Sequence, residues 1–112
     1  MHAIVAAGGD PLHEAWIPAL PGADLVVAAD SGLAHVFALG LTPDVVVGDF
    51  DSVTETDLER ARQLGARVEQ YPPDKDATDL ELALDVVGAL GATTVTVIGA
   101  GGGRLDHLVG GL

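Results

Sequence analysis

The sequence predicts an α/β fold with a three-layer, Rossmann-like arrangement, in which helices cover both faces of a mostly parallel sheet. Short apolar runs alternate with stretches of helical periodicity along the chain, as they do in proteins built from right-handed βαβ units. The apolar residues are mostly Ala, Val and Leu, with two Phe, one Trp and one Tyr, a composition that suits strands buried on both faces. The 15 Gly and six Pro fall mainly between the apolar runs, as loop residues do.

Five strands are predicted from apolar or β-branched runs that end at residues typical of turns. The first run ends at Gly8-Gly9, the second at Asp30, and the third leads into Gly48 and Asp49. The predicted strands are His2–Ala7, Leu25–Ala29, Val45–Val47, Arg67–Tyr71 and Thr93–Ile98.

Helices are predicted between these strands and after the last of them. Thr54 is a candidate N-cap, and Gly40 and Gly65 each follow the last apolar residue of a predicted helix, where glycine is favoured. The strongest pattern has Leu80, Leu84 and Val87 at three- and four-residue spacing. The predicted helices are Leu12–Leu20, confined by Pro11 and Pro18, then Leu33–Leu39, Glu55–Leu64, Thr78–Leu90 and the opening of a further helix at Leu105–Leu112.

Length and charge limit the possible functions. At 112 residues we expect one domain, residues 1–112. The net charge of -12 argues against nucleic-acid or anionic-membrane partners, since no basic face is available for phosphates. The chain has no Cys, which excludes thiolate chemistry. It also shows no signal-peptide pattern and no apolar run long enough to span a bilayer. We therefore expect a cytoplasmic protein.

Carboxylates follow the predicted strands in four places. Asp30 lies in AADSG, and Asp49 and Asp51 lie in GDFDS. Ligands of open α/β sheets bind beyond the carboxyl ends of the strands, and carboxylates there suit Mg²⁺. If GDFDS is extended, its two carboxylates project to the same side. Alternatively, Asp49 and Asp51 build an Asx-type turn, and Asp30 is the N-cap of the following helix.

The third motif, PPDKDATDLE, contains Asp74, Lys75, Asp76, Thr78 and Asp79. Thr78 with the glutamate three residues later fits a capping box, and a carboxylate at position 79 is favoured by the helix dipole. Both therefore have a structural explanation. Asp74, Lys75 and Asp76, in the loop before the cap, have no such structural explanation. A lysine beside a helix N-terminus favours the binding of an anion.

The fourth motif, GAGGGRLDH, places Gly101, Gly102 and Gly103 directly before Arg104 and Asp106. Glycine-rich turns after strands cradle phosphates, and arginine binds phosphate oxygens in a bidentate way. Lys75 and Arg104 are two of only five cations in the chain. So few cations cannot neutralise a polyphosphate, so a carboxylate-bound divalent metal is expected to supply the remaining charge.

The four motifs, in this order and spacing, resemble the catalytic domain of thiamine pyrophosphokinase (thiamine diphosphokinase). The resemblance runs from about Asp30 to the end of the chain. It implies transfer of a pyrophosphoryl group from ATP to thiamine, giving thiamine diphosphate and AMP, with Mg²⁺ as cofactor.

The resemblance also implies roles for individual residues. Metal ligands are expected at Asp30, Asp49, Asp51 and Asp79, and catalytic residues at Asp49, Asp51, Asp79, Arg104 and Asp106. The nucleotide is expected to contact Asp30, Ser31, Asp74, Lys75, Asp76, Thr78, Gly101, Gly102, Gly103 and Arg104.

Members of this family also carry a β-sandwich domain that helps to form the thiamine pocket across a homodimer interface. That domain is absent from this sequence, so we expect a truncated chain whose full-length form is a homodimer. The alternatives are a pyrophosphokinase acting on another alcohol such as a pterin, a non-catalytic nucleotide-binding module, and a structural fragment whose aspartates serve only turns and caps.

Overall fold

A computed structural model describes residues 1–72, 78–99 and 106–109 of the chain. These residues form six strands, three α-helices and one 3-10 helix. The strands are β1 (His2–Ala6), β2 (Leu25–Ala29), β3 (Val45–Gly48), β4 (Arg67–Gln70), β5 (Thr94–Ile98) and β6 (Asp106–Val109). The helices are α1 (Gly32–Ala38), α2 (Glu55–Gln63) and α3 (Asp79–Ala89), and the 3-10 helix spans Glu14–Ala19. All five predicted strands are confirmed to within about a residue at each end.

The six strands form one sheet in the order β4-β3-β2-β1-β5-β6. The five strands β1 to β5 are parallel, while β6 pairs with β5 in the antiparallel direction. The connection from β1 leads towards β2, whereas β5 pairs on the opposite side of β1. The order therefore reverses between β1 and β5, and in open α/β sheets such a switch point opens a ligand crevice at the carboxyl ends of the strands.

Helices cover both faces of the sheet, which confirms the predicted three-layer α/β fold. On one face, Ala3 and Val5 of β1 belong to the same buried cluster as Ala83 and Val87 of α3. On the other face, Ile4 of β1 shares a cluster with residues of α1 and α2. Successive residues of a strand point to opposite faces, so the uninterrupted apolar runs are needed to fill two cores.

The last described segment differs from the prediction. A helix was expected at Leu105–Leu112, but residues 106–109 form β6, with His107 opposite Thr96 and Val109 opposite Thr94. The spacing of Leu105, Leu108, Val109 and Leu112 fits a helix. Short apolar runs are ambiguous between helix and strand, however. The backbone groups along the outer edge of β5 need partners, and pairing with β6 provides them.

The predicted helix Leu12–Leu20 is reduced to the 3-10 helix Glu14–Ala19, which contains Pro18 and has no buried residue. Proline lacks the backbone N–H that a longer helix would require. The His13 side chain accepts a hydrogen bond from the N–H of Ala15 and caps this short turn. None of the helices in the described part of the chain is long and apolar enough to cross a membrane.

Two predicted N-caps are confirmed. The Thr54 hydroxyl accepts from the N–H of Asp57 (3.2 Å) at the start of α2. The Thr78 hydroxyl accepts from the N–H of Glu81 (3.1 Å) at the start of α3. Both helices therefore begin where the capping pattern predicted, although Thr78 was also expected to contact the nucleotide.

Thr78→Ala is expected to lower the free energy of unfolding by ~1 kcal/mol, because it removes the cap of α3. Chemical denaturation measures this loss, and Thr78→Ser, which keeps the hydroxyl, should retain most of the stability. Thr54→Ala is the matched control, since it removes the equivalent cap of α2. If Thr78 also contacts the nucleotide, only Thr78→Ala should weaken Mg-ATP binding. Denaturation identical to that of the parent would contradict the capping role.

Candidate functional site

The candidate site lies where the parallel strands end. The residues that follow these strands are Ala7–Gly9 after β1, Asp30 and Ser31 after β2, and Asp49 to Asp51 after β3. Because β1, β2 and β3 are parallel neighbours, these segments meet at one edge of the sheet. The structure thus brings together the predicted residues Asp30, Ser31, Asp49 and Asp51.

Asp30 is held in an unusual backbone conformation. Its φ angle is 50°, in the left-handed region where aspartate and asparagine are tolerated better than most residues. Its N–H donates to the carbonyl of Val47 (2.7 Å), which extends the pairing of β2 with β3 by one residue. The N-cap of α1 is Ser31, and no side-chain cap hydrogen bond is formed there. The interpretation of Asp30 as an N-cap is therefore wrong.

Gly48 allows Asp30 and β3 to approach closely. The φ angle of Gly48 is 138°, and a Cβ added there would lie 3.1 Å from the Cβ of Asp30. That conformation is rare for residues with a side chain, and the contact distance is very short. The glycine of GDFDS therefore brings the backbone of β3 against the aspartate of AADSG.

The Asp30 carboxyl group lacks a compensating charge among the described residues. Its Oδ1 atom is buried and has no hydrogen-bond partner in the part of the chain that the structure describes. Burial raises the pKa of Asp30, and the negative charges of Asp49 and Asp51 raise it further, while hydrogen bonds from the backbone of Phe50 and Ser31 oppose the rise. A buried, unpartnered carboxylate oxygen costs free energy, and a bound cation would remove that cost.

Asp49 and Asp51 form a turn rather than an extended pair. The N–H of Asp51 donates to Oδ1 of Asp49 (3.1 Å), which is the Asx-type turn considered as an alternative. Phe50 between them has a φ angle of 67°, so the segment is not extended and, of the two interpretations, the turn is the correct one. One oxygen of Asp49 is used by the turn, and the exposed side chain of Asp51 remains accessible from solvent.

The metal assignment stays a prediction. No group of three or more His, Asp or Glu side chains in the described part of the chain is arranged to hold a metal ion. Magnesium commonly takes only one or two protein carboxylates, with phosphate and water oxygens completing its shell. The unpartnered Oδ1 of Asp30 and the neighbouring Asp49 and Asp51 fit that requirement, because their oxygens are hard ligands and their repulsion is relieved by a cation.

The other predicted site residues are placed only in part. Asp79 begins α3 and Asp106 begins β6 opposite Val97, near the end of β5 that faces the crevice. Their side chains are not among those described. The remaining predicted residues lie outside the described residues; they are Asp74, Lys75, Asp76, Gly101, Gly102, Gly103 and Arg104.

The turn after β1 also adjoins the site, although no motif of the sequence predicted this. Gly8 lies against Ser31, and a Cβ added at Gly8 would overlap the Ser31 hydroxyl oxygen. The N–H of Gly9 donates to the carbonyl of Gly99 (2.7 Å), directly after β5. The one signal in the sequence was a Gly-Gly pair directly after a buried strand, which fits an ordinary turn equally well.

Known proteins share this arrangement of motifs and strands. The family model for the catalytic domain of thiamin pyrophosphokinase matches residues 18–112. The chain belongs to the thiamin pyrophosphokinase catalytic-domain family. This confirms the resemblance drawn from AADSG, GDFDS, PPDKDATDLE and GAGGGRLDH.

Individual thiamin pyrophosphokinases agree with the family match. A thiamine pyrophosphokinase of Bacillus subtilis is 35% identical over 86 residues, covering 77% of this chain and 40% of the relative. Thiamine pyrophosphokinase 1 of Oryza sativa subsp. japonica is 31% identical over 109 residues, covering 79% of this chain and 41% of the relative. The chain thus spans less than half the length of these curated relatives.

Solved structures extend the similarity to the fold. The crystal structure of thiamine pyrophosphokinase from Bacillus subtilis superposes with a TM-score of 0.72 and 30% identity, over 93% of this chain and 49% of that chain. The yeast thiamin pyrophosphokinase, at 14% identity and a TM-score of 0.64, shares the fold. Solved thiamin pyrophosphokinases therefore share the fold of this chain.

Proposed function

We propose that this chain carries the nucleotide and metal half of an ATP:thiamine diphosphotransferase. The observation that supports this most directly is the Asp30 carboxylate, whose buried Oδ1 lacks a partner in the described structure and which lies beside two further aspartates. Such a cluster at the carboxyl ends of parallel strands, in a member of this family, suits a metal–nucleotide complex. Thiamine and ATP are the proposed substrates.

The proposed reaction joins the thiamine hydroxyl to the β-phosphorus of ATP. A bond forms between the hydroxyl oxygen and the β-phosphorus, and the bond from that phosphorus to the oxygen bridging to the α-phosphorus breaks. AMP leaves with that oxygen, and the hydroxyl proton passes to a base, for which the site aspartates are candidates. Positioning and charge neutralisation dominate this class of chemistry, so a protein nucleophile is not required.

We assign Mg²⁺ to Asp30, Asp49, Asp51 and Asp79. When bound, the metal would supply positive charge to the phosphate oxygens. The aspartates hold that charge at the sheet edge. Asp49 also stabilises the turn that contains Asp51, because its Oδ1 accepts from the N–H of Asp51. Lys75, Arg104 and the glycines Gly101, Gly102 and Gly103 are proposed to bind the phosphates, with Ser31, Asp74, Asp76, Thr78 and Asp106 lining the same site.

We propose, from the family resemblance alone, that the protein acts as a cytoplasmic homodimer. We also propose that part of the thiamine pocket lies in a further domain, as the family resemblance implies. Nothing in the described residues is a membrane-spanning helix, and the net charge of -12 disfavours nucleic acids as partners.

Product analysis tests the proposed activity. The chain is incubated with ATP and Mg²⁺, with and without thiamine, and AMP and ADP are separated by chromatography. Thiamine-dependent AMP is expected when the proposed further domain completes the thiamine pocket, and Asp51→Asn should then reduce its formation by about 100-fold if a metal ligand is lost. ADP as the product would overturn pyrophosphoryl transfer, and AMP formed only with a pterin alcohol would overturn the acceptor.

A matched binding experiment identifies the cause of any loss. Asp51→Asn should weaken Mg-ATP binding without lowering the melting temperature, because the Asp51 side chain is exposed. Asp85→Asn is the control, since it removes the same charge from an exposed position of α3. Equal Mg-ATP affinity of Asp51→Asn and the parent would contradict the metal assignment.

A further inference from the structure

The turn after β1 is joined to the residue after β5 by backbone hydrogen bonds. The N–H of Ala7 donates to the carbonyl of Ile98, and the N–H of Gly9 donates to the carbonyl of Gly99, both at 2.7 Å. The pairing of β1 with β5 therefore continues beyond both strands. This junction lies at the point where the strand order reverses, which is where ligands of such sheets bind.

The side chain of His35 connects α1 to this junction. Its Nε2 atom lies 2.7 Å from the carbonyl oxygen of Gly9, and since that oxygen can only accept, Nε2 carries the proton and donates. The imidazole ring also lies against Gly99, because a Cβ added to Gly99 would be 3.3 Å from Cδ2 of His35. The imidazole of His35 thus contacts both Gly9, which follows β1, and Gly99, which follows β5.

Helix α1 begins two residues after Asp30, so His35 is rigidly connected to the carboxylate site as well. A Cβ added at Gly32 would overlap the carbonyl oxygen of Ala6, so the start of α1 is packed directly on the end of β1. His35 lies one turn further along the same helix and forms its hydrogen bond to the segment that follows β1. Three segments that lead into the candidate site are therefore held by one side chain and a close backbone contact.

We infer that His35 is a positioning residue for the nucleotide site, acting through its hydrogen bond to Gly9. It holds the Ala7–Gly9 turn against Gly99, the residue from which the chain continues towards Gly101 and Arg104. His35 thereby fixes the position of the crevice between β1 and β5 relative to the carboxylates that follow β2 and β3. The inference rests on the proposed function for its ligand, ATP with Mg²⁺, while the local geometry is testable without that ligand.

The test compares three substitutions at His35 with one elsewhere. His35→Leu removes the donor and keeps much of the volume, while His35→Gln places an amide N–H₂ within reach of the same carbonyl. His13→Gln is the control, because His13 also bonds to a backbone group but lies in the 3-10 helix region. His35→Ala removes the volume of the side chain as well as the donor, so its comparison with His35→Leu shows what the volume contributes.

The first readout uses no ligand. Amide hydrogen exchange of Gly9, followed by NMR, should be at least about tenfold faster in His35→Leu than in the parent, because the turn opens locally without global unfolding. His35→Gln should restore most of the protection, and His13→Gln should match the parent. Equal exchange in the parent and His35→Leu would overturn the positioning role, whatever the activity of the chain.

The second readout is the dissociation constant of Mg-ATP. We expect it to rise by about tenfold or more in His35→Leu, since small displacements of a binding group have effects of this size, and to recover in His35→Gln. A merely structural histidine would lower the melting temperature and leave this constant unchanged in the folded fraction, which would overturn the inference. Mg-ATP binding by the parent with ADP as the product would overturn the proposed function alone.

Discussion

Replacing Asp30 by asparagine should stabilise the unliganded chain at neutral pH while it weakens Mg-ATP binding by about 100-fold or more, the scale of losses at metal sites. Burial and the nearby Asp49 and Asp51 raise the pKa of Asp30, so the ionised form is disfavoured in the folded state. Asparagine tolerates the positive φ angle of this position and keeps a carbonyl oxygen for the backbone donors. Its uncharged amide is less costly to leave partly buried than a carboxylate.

The pH dependence of this stabilisation has a definite sign. The folded state binds the Asp30 proton more tightly than the unfolded state, because its pKa is raised. The contribution of Asp30 to the stability of the parent is therefore fully present below the unfolded pKa of roughly 3.9 and is lost as the pH rises through the higher folded value. The unfolding free energies of the parent and Asp30→Asn should converge in acid and separate towards neutral pH.

Urea denaturation across this pH range, together with titration calorimetry of Mg-ATP, measures both effects. Asp85→Asn again serves as the control for net charge, because its carboxylate is exposed on α3. A variant that is less stable than the parent at neutral pH would show that Asp30 is already compensated in the folded chain. Unchanged Mg-ATP affinity of Asp30→Asn would show that Asp30 does not bind the metal–nucleotide complex.

Gly32→Ala should destabilise the fold by about 3 kcal/mol or more, at the upper end of overpacking effects. A Cβ at this position would overlap the carbonyl oxygen of Ala6 and lie 2.5 Å from its carbonyl carbon. The contacted atoms belong to the backbone of β1, the central strand between β2 and β5, so they cannot move aside as a flexible side chain would. Helix α1 would have to shift away from the sheet and from Asp30.

Gly22→Ala is the matched control, since an added Cβ there meets nothing within 4 Å. Thermal and chemical denaturation of both variants measure the difference in unfolding free energy. We expect Gly22→Ala to remain within about 0.5 kcal/mol of the parent, as surface substitutions usually do. Similar stability of the two alanine variants would show that α1 does not pack on β1 as closely as the structure places it.

Local pattern predicted most of the elements. The strands β2, β3 and β5 appear in the sequence as nearly continuous runs of Leu, Val, Ala, Ile and Thr, because strands buried on two faces require mostly apolar residues. Helix α3 was visible from its periodicity and from Thr78, whose hydroxyl caps it. Local chemistry also suggested the Asx turn at Asp49, which the structure confirms.

Apolar spacing predicted the wrong secondary structure in two segments. Residues 106–109 have helix-like apolar spacing, yet they form β6 because β5 offers an unpaired edge. The segment Leu12–Leu20 also looked helical, but Pro18 and the lack of any buried residue limit it to a short 3-10 helix. In the first case a tertiary partner overrides the local preference, and in the second a proline limits a helix that has no packing partner.

The sequence by itself determined the fold class, the order of the first five strands and of the helices between them, and the presence of carboxylates after the strands, since these depend on residue type and spacing within one segment. Only the tertiary structure showed that Asp30 has a buried oxygen beside Asp49 and Asp51 that finds no hydrogen-bond partner among the described residues. It alone showed that His35 bonds to Gly9. These features depend on distances between segments far apart in sequence, which are set by strand order and by close backbone contacts at Gly32 and Gly48.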